Sequence, residues 1–124
     1  MYSNRFSPLI RDNPTAAESL HHLEQHFKSL EESQQDLRRL QFDANRLAEL
    51  AHTPTFGELQ ELLSVLLQSG LMRRVVVIES NDGGVVKELQ PGEKLPERVL
   101  DINRDVMMDV TIDNIQSVYR LEAL

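Results

Sequence analysis

The stretch RLAELAHTPTFGELQELLSVLLQSGLMRRVVVIESNDGG, residues 46–84, decides the fold of this chain of 124 residues. Its first part has apolar residues at helical spacing and ends at Thr53-Pro54. Thr55 to Glu58 then forms a capping box, which predicts the start of a second helix. Leucines at positions 59, 62, 63, 66 and 67 give this helix one buried face, and Gly70 supplies a left-handed C-terminal stop. The pattern predicts two helices joined by a tight turn.

The second part of the stretch, with the residues that follow it, predicts a mainly antiparallel sheet. Val75 to Ile78 is a β-branched run of strand length, and Asn81 to Gly84 has the turn chemistry of a hairpin. Residues 85–89 continue beyond that turn, and residues 90–93 predict another. Apolar and polar residues alternate over 105–113, as in a strand with one solvated face. Residues 114–123 fit either a last strand or a short helix.

The N-terminal half of the chain is predicted to be helical. Residues 1–14 contain two prolines and no periodicity, so we expect an arm that is flexible or held on a partner. Thr15 to Glu18 fits a capping box that starts a helix. An apolar stripe then runs to Ala51 without glycine or proline. A single helix over 15–52 would be longer than a domain of this size covers, so the stripe either breaks, most plausibly at Ser33 to Asp36, or forms a coiled-coil seam.

The length of the stripe suggests that part of it meets a second copy of the chain. Four residues fall on one side of it at helical spacing, and they are the expected self-association residues of a homodimer: Leu23, Phe27, Leu30 and Leu37.

Composition restricts the classes of function and location. The chain has no cysteine, which suits a reducing compartment and leaves no thiol nucleophile or Cys-based zinc site. No apolar run reaches the length of a membrane span, and the N-terminus lacks the apolar core of a secretory signal. We therefore expect a cytoplasmic protein that does not bind membranes. The net charge of −7 is spread along the chain without a basic stripe, which disfavours nucleic acid as a partner.

Residues 44–89 resemble a winged helix-turn-helix domain. In that resemblance Ala44 to Ala51 is the first helix of the pair, His52 to Thr55 is the turn, and Phe56 to Ser69 is the recognition helix. Residues 75–89 correspond to the wing. The resemblance implies a transcriptional regulator that binds DNA. The outer face of the recognition helix departs from this pattern, because it has two carboxylates, at Glu58 and Glu61, and no lysine or arginine.

Two groups of polar residues have spacings found in metal sites. His22 and His26 lie one helical turn apart, close to His21, but the HExxH pattern is absent. Asp101, Asn103, Asp105 and Asp109 match four positions of a calcium-binding loop, whereas Val106 and Ile112 replace its required glycine and glutamate. We therefore expect no metal and no cofactor. No nucleophile with a neighbouring base is evident either, so we do not expect an enzyme.

Together these patterns predict an α+β fold with a flexible arm over 1–14 and a single domain over 15–124. Residues 15–52 form a helical arm or hairpin, residues 55–89 are winged-helix-like, and residues 95–124 supply C-terminal strands of a three- to four-stranded sheet. The expected function is that of a non-enzymatic adaptor or regulator that binds another protein. The alternatives are a winged-helix DNA-binding regulator and an acidic inhibitor that mimics nucleic acid. The expected partner face comprises Glu58, Glu61, Gln68, Arg73 and Arg74.

Overall fold

The computed structural model describes residues 2–122, apart from the side chains of residues 2, 3 and 38. The described residues form four α-helices: α1 (Phe6–Asp12), α2 (Ala17–Glu32), α3 (Ala44–Ala51) and α4 (Phe56–Gln68). The strands are β1 (Gln41–Phe42), β2 (Met72–Glu79), β3 (Val85–Leu89), β4 (Arg98–Asp101), β5 (Val106–Asp109) and β6 (Ile115–Leu121). One sheet has the order β1-β6-β2-β3, and β4 and β5 form a second sheet. The predicted α+β class is confirmed.

The chain divides into two compact units, each with its own apolar cluster. Among the described residues, the first unit comprises 2–73 and 119–122, and the second comprises Arg74–Val118. The core of the first unit is built from α1 to α4, β1 and the adjoining ends of β2 and β6. Two smaller clusters, around Val77 and around Ile78, lie within the second unit. This division differs from the single domain predicted for residues 15–124.

The long apolar stripe breaks where the sequence favoured a break. Helix α2 ends at Glu32, and Gln34 adopts a left-handed backbone conformation with a φ of 63°. Strand β1 then precedes α3, whose first turn is capped by the Asp43 side chain. The helical-hairpin alternative is therefore correct, with a short strand between its helices that the sequence did not predict. Because the chain reverses here, the stripe folds back on itself.

The predicted self-association residues are instead part of the core of the first unit. Leu23 and Phe27 have no exposed surface, Leu37 is buried, and Leu30 packs against the same cluster. The Phe27 ring lies 5.6 Å from the Phe6 ring and 5.6 Å from the Phe42 ring, measured between centroids. These contacts occupy the surface through which a second copy would have to bind. The assignment of these residues to a homodimer interface was therefore wrong.

The N-terminal segment is a structural element and does not form the predicted flexible arm. Residues 2–5 form a 3-10 turn that leads into α1, and α1 packs against α2. Phe6 is completely buried, while Leu9 and Ile10 pack against the same core. The two prolines allow this arrangement because Pro8 lies in the first turn of α1 and Pro14 begins a 3-10 turn.

The two predicted capping boxes have different outcomes. At α4 the Thr55 hydroxyl accepts a hydrogen bond of 3.2 Å from the Glu58 N–H, which confirms the cap. After this helix Gly70 has a φ of 77°, as its role as a stop requires. At α2 the cap residue is Ala16, and the Thr15 hydroxyl donates to the Glu61 carboxylate of α4 instead. The capping box predicted at Thr15 was wrong because a tertiary contact uses its hydroxyl.

The second unit contains the predicted hairpin, formed by β2 and β3, and also β4, which was not predicted separately. Strands β2 and β3 are antiparallel, and the turn between them has Gly83 at a φ of 93°. The Asn114 side chain donates to the Glu79 carbonyl oxygen at 3.0 Å and to the Asn81 side-chain oxygen at 3.1 Å, which supports this turn. Strand β4 lies before the alternating stretch 105–113, and β5 ends at Asp109, before the predicted limit. Residues 115–121 are a strand, not a helix.

One histidine of the first unit should make its stability depend on pH. Burial, and then the nearby Arg46 cation, lower the pKa of His26 from its usual 6.5. The unfolded chain therefore takes up more protons than the folded chain as the pH falls below about 6.5. The contribution of His26 to the free energy of unfolding is present above that pH and is lost as the pH falls through the lowered pKa.

We expect His26→Gln to reduce the loss of stability between about pH 7.5 and about pH 5.5. Urea unfolding at both pH values measures this effect as the difference between the midpoints of the variant and the natural chain. His21→Gln is the control, because His21 is exposed and pairs with Glu24 at 3.5 Å on the same helix. Equal pH dependence in the His26→Gln variant and the natural chain would contradict the expectation.

Candidate functional site

The partner face predicted from the sequence is only partly assembled. Glu58, Glu61 and Gln68 are exposed on α4, as expected from its buried leucine face. Arg73 is exposed at the start of β2 and forms an ion pair of 3.3 Å with Glu122. Arg74 is exposed as well, but it belongs to the second unit. The structure brings Glu58 and Glu61 together at a cavity that Gln68 and Arg73 do not line.

This acidic cavity has a volume of about 270 Å³ and lies where α2 begins near the first turns of α4. Glu18 of α2 joins Glu58 and Glu61 in its wall, and the other lining residues are Thr15, Ala16, Ser19, His52 and Pro54. The Thr15 hydroxyl orients the Glu61 carboxylate. Glu18 and Glu58 lie in the first turns of α2 and α4, where unpaired N–H groups favour carboxylates, and Glu61 accepts the hydrogen bond from Thr15. The negative charge is therefore explained by the stability of the helices and by this hydrogen bond.

Two histidines stack beside the acidic cavity. The His22 and His52 rings are 4.1 Å apart between centroids and inclined by 22°. His22 also lies 4.0 Å from a Glu18 carboxylate oxygen. His52 ends α3 in a left-handed conformation with a φ of 57°, which turns the chain toward α4. Among residues 2–122, no three His, Asp or Glu side chains are placed to hold one metal ion.

A second candidate site lies on the hairpin of β4 and β5 in the second unit. Val99 and Met108 of this hairpin point into the core, while their neighbours point outward. On the outer face Arg98 pairs with Asp109 at 3.3 Å, and Leu100 lies opposite Met107. We call Leu100, Ile102 and Met107 the hairpin patch. Their exposed fractions are 47%, 68% and 51%, which is high for three neighbouring apolar side chains.

The hairpin patch forms one wall of a cleft with a volume of about 420 Å³. We call it the edge cleft. Val86 and Lys87 of β3 line its other side, and Pro96, Arg98 and Val99 complete it. Its lining is mainly apolar, and both charged residues in it are cations. A mainly apolar cleft with a few polar groups is typical of ligand and peptide sites.

Sequence reasoning missed the edge cleft, although one signal of it was present. In the alternating stretch 105–113, Met107 is the apolar residue among aspartates and a threonine on the side predicted to face solvent. Leu100 and Ile102 have the same two-residue spacing before the turn, but the predicted alternation begins only at Asp105. When β4 pairs with β5, Leu100 and Met107 lie on the same face of the hairpin, and Ile102 lies at the end of β4.

Comparisons with protein-family models, curated proteins and solved structures find no match to this chain. Among the described residues, no helix combines the length and the apolar character needed to cross a lipid bilayer. The class of protein that the fold defines is thus an α+β protein of two units with an exposed apolar cleft.

Proposed function

We propose that this chain is a non-enzymatic adaptor or regulatory protein that binds another protein through the edge cleft and the hairpin patch. The observation that carries the proposal is the exposure of Leu100, Ile102 and Met107 together on one hairpin. Exposed apolar surface is unfavourable in water, and a contiguous patch of apolar side chains on a protein surface often marks an interaction site. Methionine suits such a surface because its flexible side chain adapts to a partner.

The charge pattern gives the proposed surface an advantage over the α4 face. Glu58 and Glu61 line a polar cavity, and Glu61 already accepts a hydrogen bond from Thr15. Carboxylates are depleted at the centres of protein interfaces, whereas methionine and arginine are enriched there. The edge cleft has an apolar lining with Arg98 beside it. We therefore propose that the partner binds at the edge cleft of the second unit and not at the exposed face of α4.

The homodimer expected from the sequence is not part of this proposal, since its interface residues form the core of the first unit. A cytoplasmic location remains part of it and is supported by the absence of cysteine. The alternative, a winged-helix regulator that binds DNA, is favoured by the order of α3, α4 and the β2–β3 hairpin. The two carboxylates on the outer face of α4 disfavour it, because they repel phosphates.

The proposal is tested by affinity capture with the tagged full-length chain from nuclease-treated lysate of its source. We expect a protein captured in a fixed ratio to be lost when Leu100 and Met107 are both changed to Glu. The loss of affinity should be about tenfold or more, because two charged side chains would replace the apolar contacts of the hairpin patch and would lose their hydration on binding. Ile112→Glu is the matched control, because Ile112 is 84% exposed in the same unit and does not line the edge cleft.

Two results would contradict this proposal. If the captured protein stays bound to the Leu100→Glu, Met107→Glu variant, the binding surface lies elsewhere. If omission of the nuclease yields DNA, and Arg73→Ala with Arg74→Ala abolishes its recovery, the winged-helix alternative is favoured. The natural chain and the variants should have the same far-UV circular dichroism, since all of the substituted side chains are exposed.

A further inference from the structure

The walls of the edge cleft indicate that it runs along the edges of two strands. Successive side chains in a strand point to opposite faces of a sheet. Val86 and Lys87 are successive residues of β3, and both line the cleft. The same holds for Arg98, Val99 and Leu100 of β4. A cleft lined by residues from both faces of β3 and of β4 extends to the edges of these strands.

Among the described residues, neither of these strand edges is hydrogen-bonded to a further strand, although β3 and β4 lie next to each other. β3 is the last strand in the order β1-β6-β2-β3, and β4 is paired with β5 alone. An unpaired edge presents a row of N–H and C=O groups to which another extended chain can add. Native proteins use such edges to bind extended peptide segments, with side-chain pockets that supply specificity.

The register of the β4–β5 hairpin identifies the main-chain groups that face the cleft. The Val110 N–H donates to the Glu97 carbonyl at 2.8 Å, one position beyond the opposed pair Arg98 and Asp109. In an antiparallel ladder, hydrogen-bonded and non-hydrogen-bonded pairs alternate. Val99 is therefore bonded to β5, whereas the N–H and C=O groups of Arg98 and Leu100 point away from β5. These groups are the free edge of β4.

The charges at the edge cleft favour an acidic occupant. Among the described residues, the charged side chains that line it are those of Lys87 and Arg98, and no carboxylate does. Lys87 forms an ion pair of 3.1 Å with Glu93, and Arg98 forms one of 3.3 Å with Asp109. The side chains of both cations keep exposed surface. A carboxylate beside the cleft would be attracted to two cations. The apolar lining between them favours aliphatic side chains.

We propose that an extended peptide segment of a partner protein, with alternating aliphatic and acidic residues, binds in the edge cleft as an added strand. Its main chain bonds the N–H and C=O groups of Arg98 and Leu100. Its aliphatic side chains contact the hairpin patch, and its carboxylates lie near Lys87 and Arg98. This inference rests on the proposed function, because it assumes that the edge cleft is the site where a protein partner binds.

The test uses two fluorescein-labelled synthetic peptides of about six residues, the length of an average strand. Leucine alternates with aspartate in the first peptide and with lysine in the second. Fluorescence anisotropy with the full-length chain should show that the aspartate peptide binds about tenfold more tightly or better. Changing both Lys87 and Arg98 to Gln should remove most of this preference, while Ile112→Glu should leave it unchanged.

Hydrogen exchange measured by NMR separates strand addition from simple apolar docking. Saturation with the aspartate peptide should slow exchange of the Arg98 and Leu100 amides, because they acquire hydrogen-bond acceptors. The Val99 amide is already bonded to β5 and should change little. Binding without slower exchange at Arg98 and Leu100 would overturn the inference, as would equal affinity for both peptides or no binding by about 1 mM peptide.

Two further outcomes separate this inference from the proposed function. If capture of a cellular protein depends on Leu100 and Met107 but the aspartate peptide does not bind, the adaptor proposal stands and strand addition is overturned. If the Arg98 and Leu100 amides become protected without peptide as the protein concentration is raised, the occupant is a second copy of this chain, and the inference is also overturned. If peptide and cellular capture both fail, both proposals are rejected.

Discussion

Replacing Phe27 with alanine is expected to lower the free energy of unfolding of the first unit by about 3–5 kcal/mol. The Phe27 ring is completely buried and contacts the rings of Phe6 and Phe42, at 5.6 Å between centroids in each case. Its removal would leave a cavity between α1, α2 and β1 and would break two aromatic contacts at once. Urea unfolding followed by far-UV circular dichroism measures the loss.

Leu67→Ala is the control for Phe27, because Leu67 is an apolar helix residue that is 36% exposed and should cost much less. Sedimentation at several protein concentrations should give the same oligomeric state for both variants and the natural chain. If Phe27→Ala instead leaves the unfolding midpoint unchanged and weakens self-association, the ring belongs to an interface between chains. That result would restore the dimer expected from the sequence.

Removing residues 1–13 is expected to destabilise the first unit by more than about 3 kcal/mol. This truncation deletes Phe6, whose side chain is completely buried, and also Leu9 and Ile10, which pack against the same core. It exposes apolar surface of α2 that α1 covers in the full-length chain. Thermal and urea unfolding of the truncated and full-length chains measure the difference, and the truncated chain should also bind more hydrophobic dye.

Two point variants show whether the effect of the truncation comes from burial or from chain length. Phe6→Ala should reproduce most of the loss, whereas Ser7→Ala, at an exposed position of the same helix, should have little effect. If the truncated chain unfolds at the same urea concentration as the full-length chain, α1 contributes nothing to the core. The segment would then be the flexible arm that its prolines suggested.

Local signals in the sequence predicted the elements whose causes lie within a few residues. The Thr55 cap, the Gly70 stop and the Gly83 turn each depend on a hydrogen bond or a backbone conformation set by neighbouring residues. The break at Ser33 to Asp36 belongs to the same class, because polar residues interrupt the apolar stripe there. The α+β class follows from these elements.

The predictions that were wrong depended on contacts between residues distant in the chain. The Thr15 hydroxyl could cap its own helix or bond elsewhere, and the position of Glu61 decided between the two. Pro8 and Pro14 are compatible both with a flexible arm and with a helix that packs on α2. The burial of Phe6 shows that the segment forms the helix. Strand β4 is short and follows a proline, so its composition alone does not predict a strand. Its extended conformation depends on its hydrogen-bonded pairing with β5.

The sequence by itself determined where the helices of the middle region begin and end, where the first hairpin turns, and that the net charge is spread along the chain without a basic stripe. Tertiary structure alone decided which apolar residues are buried. Leu23 and Phe27 were predicted to lie in an interface and are core, whereas the pairing of β4 with β5 leaves Leu100 exposed beside Met107. The physical reason is that periodicity shows which side chains share a face, but only the packing of the whole chain determines what covers that face.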